Sequence, residues 1–199
     1  MRLASWKQWS LGLAVVSLVG VGAAGAQSLA GVTTTLDHTL ESKSATVGEP
    51  VTAKLNGSLK ADGLDLPRGT ELVGKVADVK AAQSGGPASV SLLFTTAKLK
   101  DGKEVPVKAT VIAVYPRSAD DGVEGSGITM GEAPQQVPMD GSYDQEPGAL
   151  PHVAMKSAVQ NSDSVTFTSS ENFKLPAGTF LQLGVGATGT SAGATSAAE

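Results

Sequence analysis

Apolar residues recur at every second position through much of this chain. Val51, Ala53 and Leu55 alternate with Thr52, Lys54 and Asn56, and Val105, Val107, Ala109, Val111, Ala113 and Tyr115 share one parity. A period of two is the signature of a half-buried strand, because successive side chains leave opposite faces. Residues 89–99 likewise put Val90, Leu92 and Phe94 on one side. Outside the N-terminal apolar run, no stretch spaces apolar residues at i, i+3, i+4 and i+7 over a full helix. Turn chemistry separates the alternating runs. Val47-Gly48-Glu49-Pro50 opens the folded region, Ala61-Asp62-Gly63 and 83–87 are loops, and Lys100-Asp101-Gly102-Lys103 is a hairpin signal. Strand patterns return near 153–155, 165–167 and 180–185. These features predict an all-β fold, a small β-barrel or β-sandwich with a long Gly/Pro-rich loop, preceded by a signal peptide.

Several segments lie outside the alternation. Arg2 and Lys7 precede a short apolar run at 11–22, and Ala24-Gly25-Ala26 matches a small-x-small cleavage pattern. Residues 1–26 therefore read as a cleavable signal peptide; an uncleaved anchor is the alternative. The run is short for a stable membrane span. Residues 27–45 read as a Thr/Ser-rich linker with an edge strand near 36–40. Residues 46–185 read as a single β-domain. Within it, 116–151 is rich in Gly, Pro and acids, and is expected to be a disordered or mobile loop that can order on a partner. Residues 186–199 are a small-residue tail expected to be disordered.

Removing Arg2 and Lys7 from the 15 basic residues leaves 13 against 19 acidic ones, a net charge of −6. That balance argues against nucleic acid as a partner. Both tryptophans, Trp6 and Trp9, fall in the signal, so the core must rest on Val, Leu, Ala and Ile. The chain has no cysteine, which excludes disulfides, thiol catalysis and thiolate metal sites.

One motif occurs twice. Leu66-Pro67-Arg68-Gly69-Thr70-Glu71-Leu72 and Leu175-Pro176-Ala177-Gly178-Thr179-Phe180-Leu181 share the pattern L-P-x-G-T-x-L. Proline suits position i+1 of a β-turn and glycine position i+3 of a type I turn. The leucine before proline is held extended, and the β-branched threonine starts the next strand. Each copy reads as strand end, tight corner, strand start, with Leu66, Leu72, Leu175 and Leu181 anchored in the core. Two such corners imply equivalent places in two halves of one barrel or sandwich. The sortase signal L-P-x-T-G is a different order and needs a membrane span and basic tail that are not present.

The segment around the first corner, "VGEPVTAKLNGSLKADGLDLPRGTELVGKV", followed by "LLFTTAKLKDGKEVPVKATV", resembles the C-terminal β-barrel domain of the TrbI-like family over about 47–114. Leu66, Pro67, Gly69, Thr70, Leu72 and Gly74 match that family's corner, and Asp101-Gly102 matches its later turn. The resemblance implies a β-barrel fold and a place in the envelope assembly of a conjugation or type IV secretion system.

Chemistry-bearing residues are sparse. His38 and His152 have no ligand spacing, and Asp120, Asp121 and Glu124 do not follow the calcium-loop pattern. No serine lies in G-x-S-x-G; Ser126 belongs to a Gly-rich loop. The expectation is therefore no catalytic, cofactor-binding or metal site, and no enzyme activity. The chain reads as an exported β-domain, periplasmic or outer-envelope associated, that serves as a structural or protein-interaction module. Its partner would be an envelope protein or a further copy of itself, met through an edge strand or the 116–151 loop. The alternatives are a secretion-assembly component and, from another class, a hydrolase or ligand-binding domain with a concave acidic pocket.

Overall fold

The computed structural model describes residues 28–61, 63–83, 86–116, 133–134, 136–138, 141–150, 152–158 and 162–188. The signal expected at 1–26 lies outside the described residues, as do 117–132 of the long loop and the tail beyond 188.

Fourteen strands make up the described fold, with no helix among the described residues. They are β1 (Ser28–Leu36), β2 (Leu40–Glu41), β3 (Pro50–Leu55), β4 (Leu59–Ala61), β5 (Leu64–Leu66), β6 (Glu71–Lys80), β7 (Ala88–Lys98), β8 (Glu104–Tyr115), β9 (Val137–Pro138), β10 (Ser142–Leu150), β11 (Val153–Ala158), β12 (Ser162–Ser169), β13 (Lys174–Leu175) and β14 (Phe180–Ala187). Six of them close on themselves in the order β7–β6–β3–β1–β14–β8, and β8 pairs back onto β7. All these pairings are antiparallel. The fold is all-β, as the alternation predicts, and of the two expected forms it is the barrel.

Inward-facing positions fill the barrel. Leu72, Val76, Phe94, Val111, Leu181, Leu183 and Val185 belong to one continuous core, and Phe94 and Phe167 are its largest fully buried side chains. At about 25 cal/mol per Å² of buried apolar surface, such side chains supply most of the folding drive.

The expected linker at 27–45 is instead mostly strand. β1 sits between β3 and β14 and pairs with β14 from Ala30↔Val185 to Thr35↔Phe180. Val32, Thr34 and Leu36 face inward. Buried Thr34 is tolerated because its hydroxyl donates to the Leu181 carbonyl at 3.2 Å. The Thr/Ser content of this segment masked a period of two that was present in it.

The expected loop at 116–151 also contains structure. β9 pairs with the start of β1, Leu29↔Val137, and β10 pairs with β11. β8 keeps its inward parity through Val111 and then changes phase. Its pairing with β14 slips between Val111↔Leu183 and Ala113↔Gln182, so Ile112 is an extra residue. This β-bulge flips the phase. Val114 turns into the core, while Ala113 and Tyr115 become half-buried on the other side.

β7 forks. Its first half, Ala88–Leu93, pairs with β12, and its second half, Phe94–Lys98, pairs with β8 along the same edge. Beyond the fork the same sheet continues through β12, β11 and β10, outside the closed barrel. The fork strips the later part of β8 of a strand partner on that side.

Candidate functional site

The two L-P-x-G-T corners superimpose in their chemistry. Thr70 N–H donates to the Pro67 carbonyl at 3.1 Å, and Thr179 N–H to the Pro176 carbonyl at 3.1 Å. The threonine hydroxyls donate to the same carbonyls at 2.8 and 2.7 Å. Proline is therefore at position i and glycine at i+2, with φ of +83° at Gly69 and +90° at Gly178. That corrects the expected type I placement: a positive φ at i+2 is what a type II turn demands, and glycine supplies it without strain. Each glycine N–H then ties the corner to a neighbouring strand end, Gly69 to the Leu55 carbonyl at 2.9 Å and Gly178 to the Leu36 carbonyl at 2.8 Å.

The likeness extends beyond the motif. β4 and β5 form a short ribbon before the first corner, with Leu59↔Leu66 and Lys60↔Asp65 paired. β2 and β13 form the same ribbon before the second, with Leu40↔Leu175 and Glu41↔Lys174 paired. Lys60 and Asp65 sit 3.2 Å apart and Lys174 and Glu41 2.6 Å apart, so the cross-strand ion pair recurs with its polarity reversed. The first ribbon is a continuous hairpin; the second is assembled from opposite ends of the chain. Leu66, Leu72, Leu175 and Leu181 are all buried, as are Thr70 and Thr179. The corners are a structural clasp.

The β8 seam is sealed by side chains. Gln145 of β10 accepts from Val114 N–H at 2.8 Å through Oε1 and donates through Nε2 to the Val114 carbonyl at 2.9 Å. One side-chain amide thus reproduces what a neighbouring strand would have offered. Ser157 of β11 donates to the Val111 carbonyl at 2.6 Å. Met155, Val165 and Phe167 on this β12–β11–β10 extension join the barrel core. Its other face is polar, with exposed Asp144 and Lys156 at 3.8 Å. β10 is the terminal strand of the sheet. Its pairing slips between Gln145 and Leu150, where Pro147 and Gly148 fall, so its regular edge is the short run 142–145. Proline and charge are common protections for such an edge.

A further feature lies on the outside of the barrel wall. On β14, Gln182, Gly184 and Gly186 alternate with the core residues and are nonetheless buried. Leu29 and Val137 cover the glycines in a small cluster with half-buried Ile112 and Tyr143. A methyl group at Gly184 would sit 2.9 Å from Val137 Cγ1 and 3.0 Å from Leu29 Cβ; one at Gly31 would collide with the Pro134 carbonyl oxygen. The wall is glycine-floored where the segment around β9 lies across it. Thr110 is paired with Gly184, so the two share this outward face. Its hydroxyl is fully buried and has no hydrogen-bond partner among the described residues. Sequence reasoning missed this slot, because its signal is three separated glycines rather than a motif.

His38 and His152 are both exposed and lie in different turns. Asp120, Asp121, Glu124 and Ser126 lie outside the described residues. Among the described residues no group of three His, Asp or Glu side chains could hold a metal ion, and no helix is long and apolar enough to cross a membrane.

No protein-family model matches the chain, and no curated protein matches it. Among solved structures, ComB10 of the Com type IV secretion system of Helicobacter pylori is similar to it with a TM-score of 0.38 and 9% identity, over 79% of this chain and 85% of that one. The likeness is weak and distant, so function has to be argued from the residues themselves.

Proposed function

We propose that the chain is a non-enzymatic, exported β-domain that serves as a structural or protein-interaction module of the bacterial cell envelope, periplasmic or outer-envelope associated. One observation carries this reading: barrel closure leaves β10 as the terminal strand of the main sheet, with its outward face polar and exposed. A terminal strand offers unpaired backbone groups, so adding a partner's strand there requires no rearrangement of the barrel. The partner in this reading is an envelope protein or another copy of the chain.

A photo-crosslinker placed at Asp144 in the exported protein, with Asp65 on the β4–β5 ribbon as control, tests the reading. It expects an adduct from position 144 and none from 65, together with a particle heavier than the monomer by light scattering. A monomer that gives no adduct at 144 overturns it. The corner residues Leu66, Pro67, Gly69, Thr70 and Leu72 favour a second reading, a component of a TrbI-like secretion or conjugation assembly. A ring-sized particle cross-linked only to itself would favour that second reading.

A further inference from the structure

We propose that the glycine-floored slot on the outer barrel wall is a peptide-recognition site, held closed in cis by the chain's own Val137–Pro138. Its ligand class is an extended segment carrying a β-branched residue followed by proline, the chemistry of the present occupant.

Three observations support this. First, glycine in a strand is costly, since it loses more conformational freedom than any other residue and packs nothing. Gly31 and Gly184 nevertheless sit in central barrel strands, and any side chain there would collide with the segment above. The wall is shaped for a chain lying flat against it. Second, the occupant is lightly held. β9 pairs with only Ser28 and Leu29, and Pro138 accepts from Tyr143 Oη at 3.3 Å and from Gly141 N–H at 3.4 Å. Val137 is its one fully buried side chain. Two-residue pairings are marginal on their own. Third, the slot contains an unmet need. Thr110 Oγ1 is buried beside Gly184 with no partner among the described residues, although buried hydroxyls are nearly always hydrogen-bonded. A peptide group of an incoming strand can satisfy it, which the present occupant does not do. A partner strand would therefore gain a bond that the cis segment lacks.

The test uses the full exported chain and a synthetic peptide of residues 133–138. Val137→Asp should release the cis segment, read as about tenfold faster amide exchange at positions 136 and 137 with the barrel amides unchanged. The released protein should then bind the peptide in trans, while the parent chain binds it weakly. Adding Gly184→Val should abolish that binding. If V137D fails to fold, Val137→Ala serves the same purpose with a smaller release. Exchange at positions 136 and 137 that does not respond overturns the proposal, because the segment is then a fixed part of the wall. Release without peptide binding, or binding indifferent to Gly184→Val, overturns it as well.

Discussion

Gln145 offers the sharpest test of how the barrel seam is held. Its amide makes two hydrogen bonds to Val114, at 2.8 and 2.9 Å, at a point where the forking of β7 has left β8 without a strand neighbour. Gln145→Ala removes both. Each bond contributes roughly 1 kcal/mol net, and each buried backbone group left unpaired costs about 1–3 kcal/mol more. The site is only part-buried, so water offsets some of that cost, and the low end applies. The expected loss is about 3 kcal/mol, or about 6–12 °C in melting temperature for a domain of this size. Gln145→Glu refines the test through pH. A protonated glutamic acid can accept from Val114 N–H and donate to its carbonyl, as glutamine does; a carboxylate cannot donate. The folded state thus favours the protonated form and raises the side chain's pKa above its unfolded value of about 4.3. The folded state binds more protons than the unfolded one between the two values, so stability falls as pH rises through that window. Q145E should match the parent near pH 4 and lose stability towards neutral pH. Thermal or urea unfolding at several pH values measures it, with the parent's own pH profile subtracted. A Q145A loss under about 0.5 kcal/mol would show that solvent serves the β8 edge equally well, and would refute this account of the seam.

Other outcomes follow from particular residues. Gly69→Ala and Gly178→Ala force a side chain into positive φ and should each cost about 1–2 kcal/mol by urea unfolding; equal losses would confirm that the two corners are equivalent. Thr110→Val replaces an unpaired buried hydroxyl with a methyl group of similar shape, and should stabilise the isolated protein by up to about 1 kcal/mol, read by melting temperature. Deleting residues 28–36 removes a central barrel strand. It should abolish the cooperative unfolding transition, where loss of a mere linker would leave it intact.

The parts of the fold legible in sequence were those whose local pattern is not in conflict with tertiary context. β3, β7 and the hairpin at Asp101-Gly102 show clean alternation or turn chemistry, and they form where expected. β1 was obscured by three consecutive threonines. One of them, Thr34, is buried only because the Leu181 carbonyl lies close enough to accept its hydroxyl, and that contact spans nearly the whole chain. The Ile112 bulge reverses the parity of β8 through its pairing with β14, which local periodicity does not encode. The turn type at the corners depended on whether proline occupies i or i+1, and composition fits both. The candidate surfaces were harder still. The β10 edge was hidden by Pro147 and Gly148, which read as loop. The outer slot depends on Gly31, Gly184 and Val137 meeting from three distant segments.

The repeated corner acquires its meaning from where the second ribbon comes from. β4–β5 closes its corner within a few residues, whereas β2–β13 brings together positions 41 and 174 to build the same object. β1 and β14, the first and last described strands, are then zipped side by side from Ala30↔Val185 to Thr35↔Phe180. The barrel is therefore incomplete until its last strand has arrived, and closing it carries the loop-closure entropy of almost the full chain. Long-range closure of this kind is slow and leaves edges exposed while it is pending. A corner that carries its own turn hydrogen bonds, a buried leucine on each side and a cross-strand ion pair supplies local stability at the point where the distant ends must meet. That accounts for using one design twice: the first copy is a local hairpin, and the second reproduces its contacts where no hairpin connection exists.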